Sequence, residues 1–108
     1  VESDGRLVAA IDLKRTDWIS GVTEIGYWTS PSARGRGVMT EAARALAHWV
    51  LDQMGFARVE LRIAPGNLAS LRVAEKAGFR REGVARSAGI VHHGRVDLVI
   101  FSLLPADL

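Results

Sequence analysis

The sequence predicts an α+β domain: a mixed, mostly antiparallel sheet with two helices packed on it. Three observations carry that expectation. Apolar and polar residues alternate with period two in several separate stretches, as they do on half-buried strands. Between residues 39 and 54 the apolar residues instead recur at three and four, the stripe of a helix lying on a sheet. Proline and glycine punctuate the boundaries, at Ser30-Pro31, Pro65-Gly66, Gly78 and Pro105. The resulting order is β-β-α-β-α-β-β, without repeats or low-complexity segments.

Each element has its own warrant. The chain opens on Val1-Glu2-Ser3-Asp4-Gly5, which reads as a hairpin turn with no strand before it. Residues 6–15 form a strand with Leu7, Ala9, Ile11 and Leu13 on one face, and residues 16–21 are a polar connection. In the next strand, residues 22–29, alternation sets Glu24, Gly26 and Trp28 on one side and Thr23, Ile25, Tyr27 and Thr29 on the other. Pro31 stops it, lacking an N–H for a ladder. The first helix begins near Met39, buries Met39, Ala42, Ala43, Leu46, Ala47, Val50 and Met54, and wets Glu41, Arg44, His48 and Asp52 before Gly55 ends it. Residues 58–64 alternate Val59, Leu61 and Ile63 against Arg58, Glu60 and Arg62, a strand closed by Pro65-Gly66. Asn67 suits the N-cap of a second helix over 68–77, with Ser70 on the sheet side near Ala74 and Ala77, and with Arg72, Glu75 and Lys76 outward. A bent strand over 79–90, a turn through His92-His93-Gly94 and an apolar strand over 96–104 complete the chain.

Composition narrows the functional classes. A chain of 108 residues, 48% hydrophobic, makes one soluble domain, residues 1–108. Its net charge is +2, with a pI near 9.7 from an arginine excess, which suits an acidic ligand. The basic residues are scattered, not clustered in a run, which argues against nucleic acid; an RNA-associated module has only the arginine excess behind it. With no cysteine, disulfides, thiolate metal sites and a cysteine nucleophile are excluded, and a reducing cytoplasm is the default location. No signal peptide or run of membrane-spanning length is present. His92, His93 and Asp97 do not complete a ligand set, so no metal is expected. The two histidines border the mouth of a site or are plain surface, His48 is solvated, and Trp18, Trp28 and Trp49 are expected in core or loop packing, with Trp28 alone placed to line a cleft.

The informative junction lies between the second strand and the first helix. Arg34-Gly35-Arg36-Gly37 runs directly into that helix, presenting bare N–H groups and the positive end of the dipole with two arginines beside them. That combination suits a phosphate. The plainer reading is a glycine turn that reverses the chain between two solvated arginines. A Walker loop is excluded, since no Gly-Lys-Ser/Thr follows, and a dinucleotide fingerprint lacks its third glycine.

Two motifs in register resemble the GNAT superfamily of acyl-CoA-dependent N-acyltransferases. The first is its Gln/Arg-x-x-Gly-x-Gly/Ala loop, matched by Arg34, Gly37 and, imperfectly, Met39; the second is Asn-x-x-Ser with a Lys-x-Gly-Phe ending, matched by Asn67, Ser70, Lys76, Gly78 and Phe79. Glu-Ile-Gly-Tyr-Trp before the loop and Thr-Glu-Ala after Met39 are most similar to the RimJ/RimL branch, which acetylates ribosomal-protein N-termini. The resemblance spans essentially the whole chain. It implies a sheet that splays after the Glu24 strand, and a domain that normally begins with a further strand or two and a pair of helices to which nothing here corresponds, so that the chain looks N-terminally truncated.

It also implies a division of labour. Acetyl-CoA would be the cosubstrate, with no metal, its pyrophosphate held by the backbone of Gly35, Gly37, Val38 and Met39 with Arg34 and Arg36, beside Thr40. Its pantetheine would pair along Trp28, Thr29 and Ser30, where a backbone N–H polarises the thioester carbonyl. Asn67 and Lys76 would contact the cofactor, Asn67 while also capping its helix. Glu24 would be the general base acting through water, against the alternative of a cross-strand partner for arginine or lysine. The tyrosine that many members use as the acid is matched by Ala74, so Ser70 inherits the protonation of the leaving thiolate, and the carboxylate that the RimL branch carries before the last hairpin is matched by Gly89. The acceptor is then a primary amine, on a protein N-terminus or a small molecule, and a homodimer is compatible with the sequence. The rival is a non-catalytic acyl-CoA-binding or regulatory module.

Overall fold

A computed structural model describes residues 9–30 and 37–108 in full and the backbone of residues 2–3 and 6–7. Strands β1 (Glu2–Ser3) and β2 (Arg6–Leu7) form a two-stranded hairpin of their own. The opening segment therefore does contain a short strand, contrary to expectation. The main sheet holds β3 (Ala9–Asp17), β4 (Val22–Thr29), β5 (Arg58–Ile63), β6 (Arg80–Val91) and β7 (Gly94–Leu103) in the order β3-β4-β5-β7-β6. Among the described residues only the β4–β5 pair is parallel. A parallel neighbour needs a crossover, and helix α1 (Val38–Asp52) provides it; helix α2 (Leu68–Lys76) links β5 to β6. A short 3-10 turn, Pro105–Asp107, follows β7.

Both helices lie on one face of the sheet and share one core. Ile25, Val59, Leu61, Val99 and Phe101 supply its floor; Ala43, Ala47 and Val50 of α1 and Ala74 of α2 supply its roof. Small residues on the helices let them approach the sheet closely, and Arg44 of α1 donates to the carbonyl of Lys76 at the negative end of α2, 2.7 Å away. The other sheet face carries the alternate, polar residues.

The strand ends move by a few residues from the sequence reading. β3 begins later and runs past Arg15, because a bulge between Lys14 and Asp17, with Arg15 at φ 44, lets the strand continue while Thr16 bonds Thr23 at 2.8 Å. β7 starts at Gly94, two residues early, because the turn is confined to His92 and His93 between the paired Val91 and Gly94. None of the tryptophans is a core residue: Trp18, Trp28 and Trp49 are 71%, 48% and 51% exposed, but Trp18 packs edge-on against Phe56 at 5.3 Å from its turn and Trp28 lines a cleft. The alanine-rich helices pack too closely to leave room for an indole between them and the sheet.

Candidate active site

The site is built by a strand pair that stops pairing. β4 and β5 are in register at Val22 with Arg58, Thr23 with Val59 and Glu24 with Glu60, and no further. β4 continues to Thr29 and β5 to Ile63, so the sheet is split from Ile25 onward, the splay the resemblance implied. Along that split the β5-facing edge of β4 has no ladder partner, whereas its other edge pairs with β3 as far as Thr29.

On the helix side the split opens into a cleft of about 410 Å³. Tyr27, Trp28 and Thr29 form one wall, Gly37, Val38, Met39 and Thr40 its end, and Asn67, Ser70, Arg72, Val73 and Lys76 of α2 the other wall. Gly37 holds φ 73, the left-handed region, and its carbonyl accepts the first helical bond from Glu41 at 3.0 Å. A side chain there would be strained, and α1 starts without a side-chain cap. The N–H groups of its first turn are left for a ligand, and the dipole favours an anion. Arg34, Gly35 and Arg36 lie outside the described residues. Ser30 follows β4 but does not line the cleft.

A smaller pocket of about 130 Å³ joins Lys14, Glu24, Gly26 and Arg62 of the polar face to Ile25, Tyr27, Ile63 and Ala64 and to Asn67 and Ser70 at the start of α2. Tyr27, Asn67 and Ser70 line both hollows, so the two meet through the split. Asn67 caps α2, accepting from the Ser70 N–H at 3.2 Å, as its position predicted. That bond uses the amide oxygen and leaves the amide N–H groups available. The Tyr27 hydroxyl donates across the split to the Ser70 carbonyl at 2.6 Å. Burial raises its pKa well above the ordinary tyrosine value, so it stays a donor at neutral pH.

Glu24 is 8% exposed. It stands opposite Lys14 in the β3 ladder, and its Oε1 lies 3.7 Å from Nε of the exposed Arg15, an ion pair too long for a hydrogen bond. Oε1 has no hydrogen-bond partner, and neither has the buried Nε of Arg62. Glu24 thus has a cationic neighbour on the adjacent strand and a buried carboxylate oxygen without a hydrogen bond.

Several contributors escaped the sequence reading. Tyr27 was assigned only to the face shared with Ile25, which is in fact what points it at α2. Arg72 was read as merely outward; it is exposed, as is Lys76, but the two lie four residues apart on the rim of the cleft. Arg62 is one of the polar residues of an alternating strand, and nothing in the alternation says that its strand loses its neighbour. Ala74 is fully buried on α2, and a Cβ on Gly89 would come within 2.9 Å of the Leu98 side chain; neither position carries the acid or carboxylate that the resemblance pairs with it. His92 and His93 are exposed with ring centres 6.5 Å apart, and among the described residues no group of three or more His, Cys, Asp or Glu could hold a metal. Among those residues no helix is long and apolar enough to cross a membrane.

Comparison with known proteins places this geometry. The Acetyltransferase (GNAT) domain family matches residues 1–80. The chain is 39% identical over 108 residues to the Probable N-acetyltransferase YjcK of Bacillus subtilis (strain 168), covering 97% of the chain and 59% of that protein. It is 26% identical over 99 residues to the Ribosomal-protein-serine acetyltransferase of Escherichia coli (strain K12), covering 92% and 55%. Among solved structures, Mycobacterium smegmatis RimJ in complex with CoA-disulfide superposes with a TM-score of 0.85 at 28% identity, over 99% of the chain and 52% of that protein. The chain thus spans little more than half the length of these relatives.

Proposed function

The chain belongs to the GNAT family of N-acetyltransferases, related to its RimJ/RimL-like branch, and from that premise we propose that it moves the acetyl group of acetyl-CoA onto a primary amine through the split between β4 and β5. One observation carries the reading: two hollows at the split share Tyr27, Asn67 and Ser70 in their walls, so that a thioester in one and an amine in the other can reach the same place.

The described residues suit acetyl-CoA. The first turn of α1 from Gly37 to Thr40 offers N–H groups to a pyrophosphate, and Arg34, Gly35 and Arg36 complete that loop in the proposal. Lys76, with the neighbouring Arg72, adds positive charge at the rim. The unpaired edge of β4 at Trp28 and Thr29 offers strand-like hydrogen bonds to the pantetheine amides, with Ser30 beyond it. When bound, acetyl-CoA supplies an activated acyl carbon and a thiolate leaving group.

The chain's own groups then handle protons and position. Glu24 takes a proton from the incoming ammonium, directly or through water, its Oε1 being buried and without a hydrogen bond. Ser70 stands on the first turn of α2 where the hollows join, and its hydroxyl passes a proton to the departing sulfur. Asn67 fixes that turn by its cap, and Tyr27 holds it across the split. No covalent enzyme intermediate is needed, which agrees with a chain without cysteine. A binding module that does not turn over is the second reading, favoured by the buried Ala74 and the crowded Gly89.

Calorimetric titration with CoA and with dephosphorylated pantetheine tests the cosubstrate end. CoA should bind at least about tenfold more tightly, through its phosphates. Equal affinities would place the anion site elsewhere. Acetylation of any amine in a panel of amino acids, peptides, polyamines and aminoglycosides then separates enzyme from binding module.

A further inference from the structure

Resting on acetyl transfer at the split, we infer that the acceptor is a free α-amino acid, its ammonium group met by Glu24 and its carboxylate by Arg62 and Lys14 in the pocket on the polar face. That pocket holds two buried side-chain atoms without hydrogen bonds, Oε1 of Glu24 and Nε of Arg62, one seeking a donor and the other an acceptor. Oε1 of Glu24 has only the long ion pair to the exposed Arg15 at 3.7 Å, and Nε of Arg62 has no hydrogen bond, so a ligand bringing a donor and an acceptor into that hollow complements both. Glu24 stands in register with Glu60, and Arg62 is two residues further along β5 on the same face, about 7 Å along the strand. Two long side chains rooted that far apart converge on one hollow, a fit for an ammonium and a carboxylate separated by one carbon.

The charge balance selects among amines. The pocket lining carries two cations, Lys14 and Arg62, to one carboxylate, Glu24. The Lys14 side chain lies against Gly26, and among the described residues neither Lys14 nor Arg62 has an ion-pair partner. A polyamine would bring further cations towards Lys14 and Arg62. A peptide N-terminus would offer a neutral carbonyl and leave the positive excess uncompensated. An amino acid supplies the anion, and a guanidinium holds a carboxylate by charge-assisted bonds that no neutral carbonyl matches. Room of about 130 Å³ suits the amino-acid head, with Tyr27, Asn67 and Ser70 directing its nitrogen into the split. In the transfer the ammonium gives one proton to Glu24 and its nitrogen forms the bond to the acetyl carbon. The carbon–sulfur bond breaks with its electron pair on sulfur, and the second nitrogen proton reaches that sulfur through Ser70. The products are an N-acetylamino acid, CoA as thiol and a proton released to solvent.

The experiment offers leucine, methionine and threonine, each beside its amide, its decarboxylated amine and a tripeptide beginning with it, to the chain with acetyl-CoA. Thiol release and product mass are recorded, and binding of the same compounds is followed by NMR titration in the presence of CoA. Free amino acids should exceed their amides and amines by at least about tenfold in kcat/KM, an amount one charge-assisted bond supplies. Arg62→Gln should remove that preference by raising KM for the acids alone, and Arg62→Lys should restore part of it. Preference for tripeptides or for carboxylate-free amines, or an unchanged preference in Arg62→Gln, overturns the inference while leaving acetyl transfer standing. If no amine is acetylated, the titration decides: amino-acid binding that disappears in folded Arg62→Gln supports the pocket assignment, and absence of binding overturns it.

Discussion

The same two strands behave differently at their two ends. Where β4 and β5 are paired, the polar face is closed: Arg58 bonds Glu60 at 2.9 Å and Glu82 at 2.6 and 2.9 Å, and Ser102 donates to Glu82 at 2.7 Å. Two residues further along β5, the buried Nε of Arg62 has no hydrogen bond, and neither has Oε1 of Glu24, which faces only the exposed Arg15 at 3.7 Å. A single face of a single sheet thus spends its charges on itself at one end and keeps them available at the other. Buried polar groups are ordinarily satisfied, and the exceptions here fall where the backbone ladder also stops. The closed end anchors the strands; the open end holds the chemistry.

The comparison can be broken most forcefully at the phosphate end. Gly37→Glu should lower CoA affinity by on the order of a hundredfold, about 2.7 kcal/mol, because a carboxylate would face the phosphates. A Cβ at Gly37 meets no described atom within 4 Å, so the domain should stay folded, with a strain of about 1 kcal/mol from its positive φ. Calorimetry with circular dichroism checks both, and unaltered CoA affinity in a folded variant would remove the α1 N-terminus from the site.

Tyr27→Phe sharpens the comparison at the split itself. It deletes the 2.6 Å bond to the Ser70 carbonyl and should cost about 1 kcal/mol of stability. Amide exchange should quicken in the first turn of α2 and stay unchanged in Val59 and Glu60 at the closed end. Equal quickening at both ends would mean that Tyr27 holds the whole domain and not the split.

Much of this was legible in the residues. Period-two alternation at Val59, Leu61 and Ile63, the helical stripe from Met39 onward and the Asn67 cap are local signals, and local signals survive folding. What the sequence does not carry is where a ladder ends. Glu24 and Arg62 look like ordinary polar positions of two strands, and only the loss of pairing beyond Glu60 turns them into walls of a pocket. That no tryptophan enters the core is hidden for a related reason: hydrophobicity says that an indole gains by burial, but the room beneath α1 is set by Ala43 and Ala47 on one side and Ile25 and Val59 on the other. The bulges at Arg15 and Ser87, both at positive φ, likewise depend on partners across the ladder; Ser87 is held by Asp97 at 2.8 Å.

The smallest effect belongs to the closed end. Hydrogen bonds from Arg58, and then from Ser102, lower the pKa of Glu82 to about 2, below its unfolded value of about 4.3. A depressed carboxylate stabilises the fold above the unfolded value and loses that contribution as pH falls towards 2. Glu82→Gln should therefore flatten the acid limb of stability between those values. The Glu82 side chain is 42% exposed, so solvent screening holds the effect below about 1 kcal/mol at neutral pH. Urea melts at stepped pH measure it, and turnover at neutral pH should not change.

The central claim is that Glu24 and Ser70, from a strand and a helix on either side of the split, act on the same transfer. The most direct measurement is the pH dependence of kcat for acetyl transfer in Glu24→Gln and Ser70→Ala, with CoA affinity determined in parallel. Each variant should lose about a hundredfold or more in kcat with CoA affinity unchanged, and the pH profile of Glu24→Gln should differ from the parental one, as expected for loss of a base. Parental rates and profiles in both variants would contradict the assignment of the split as the place where the amine and the thioester meet.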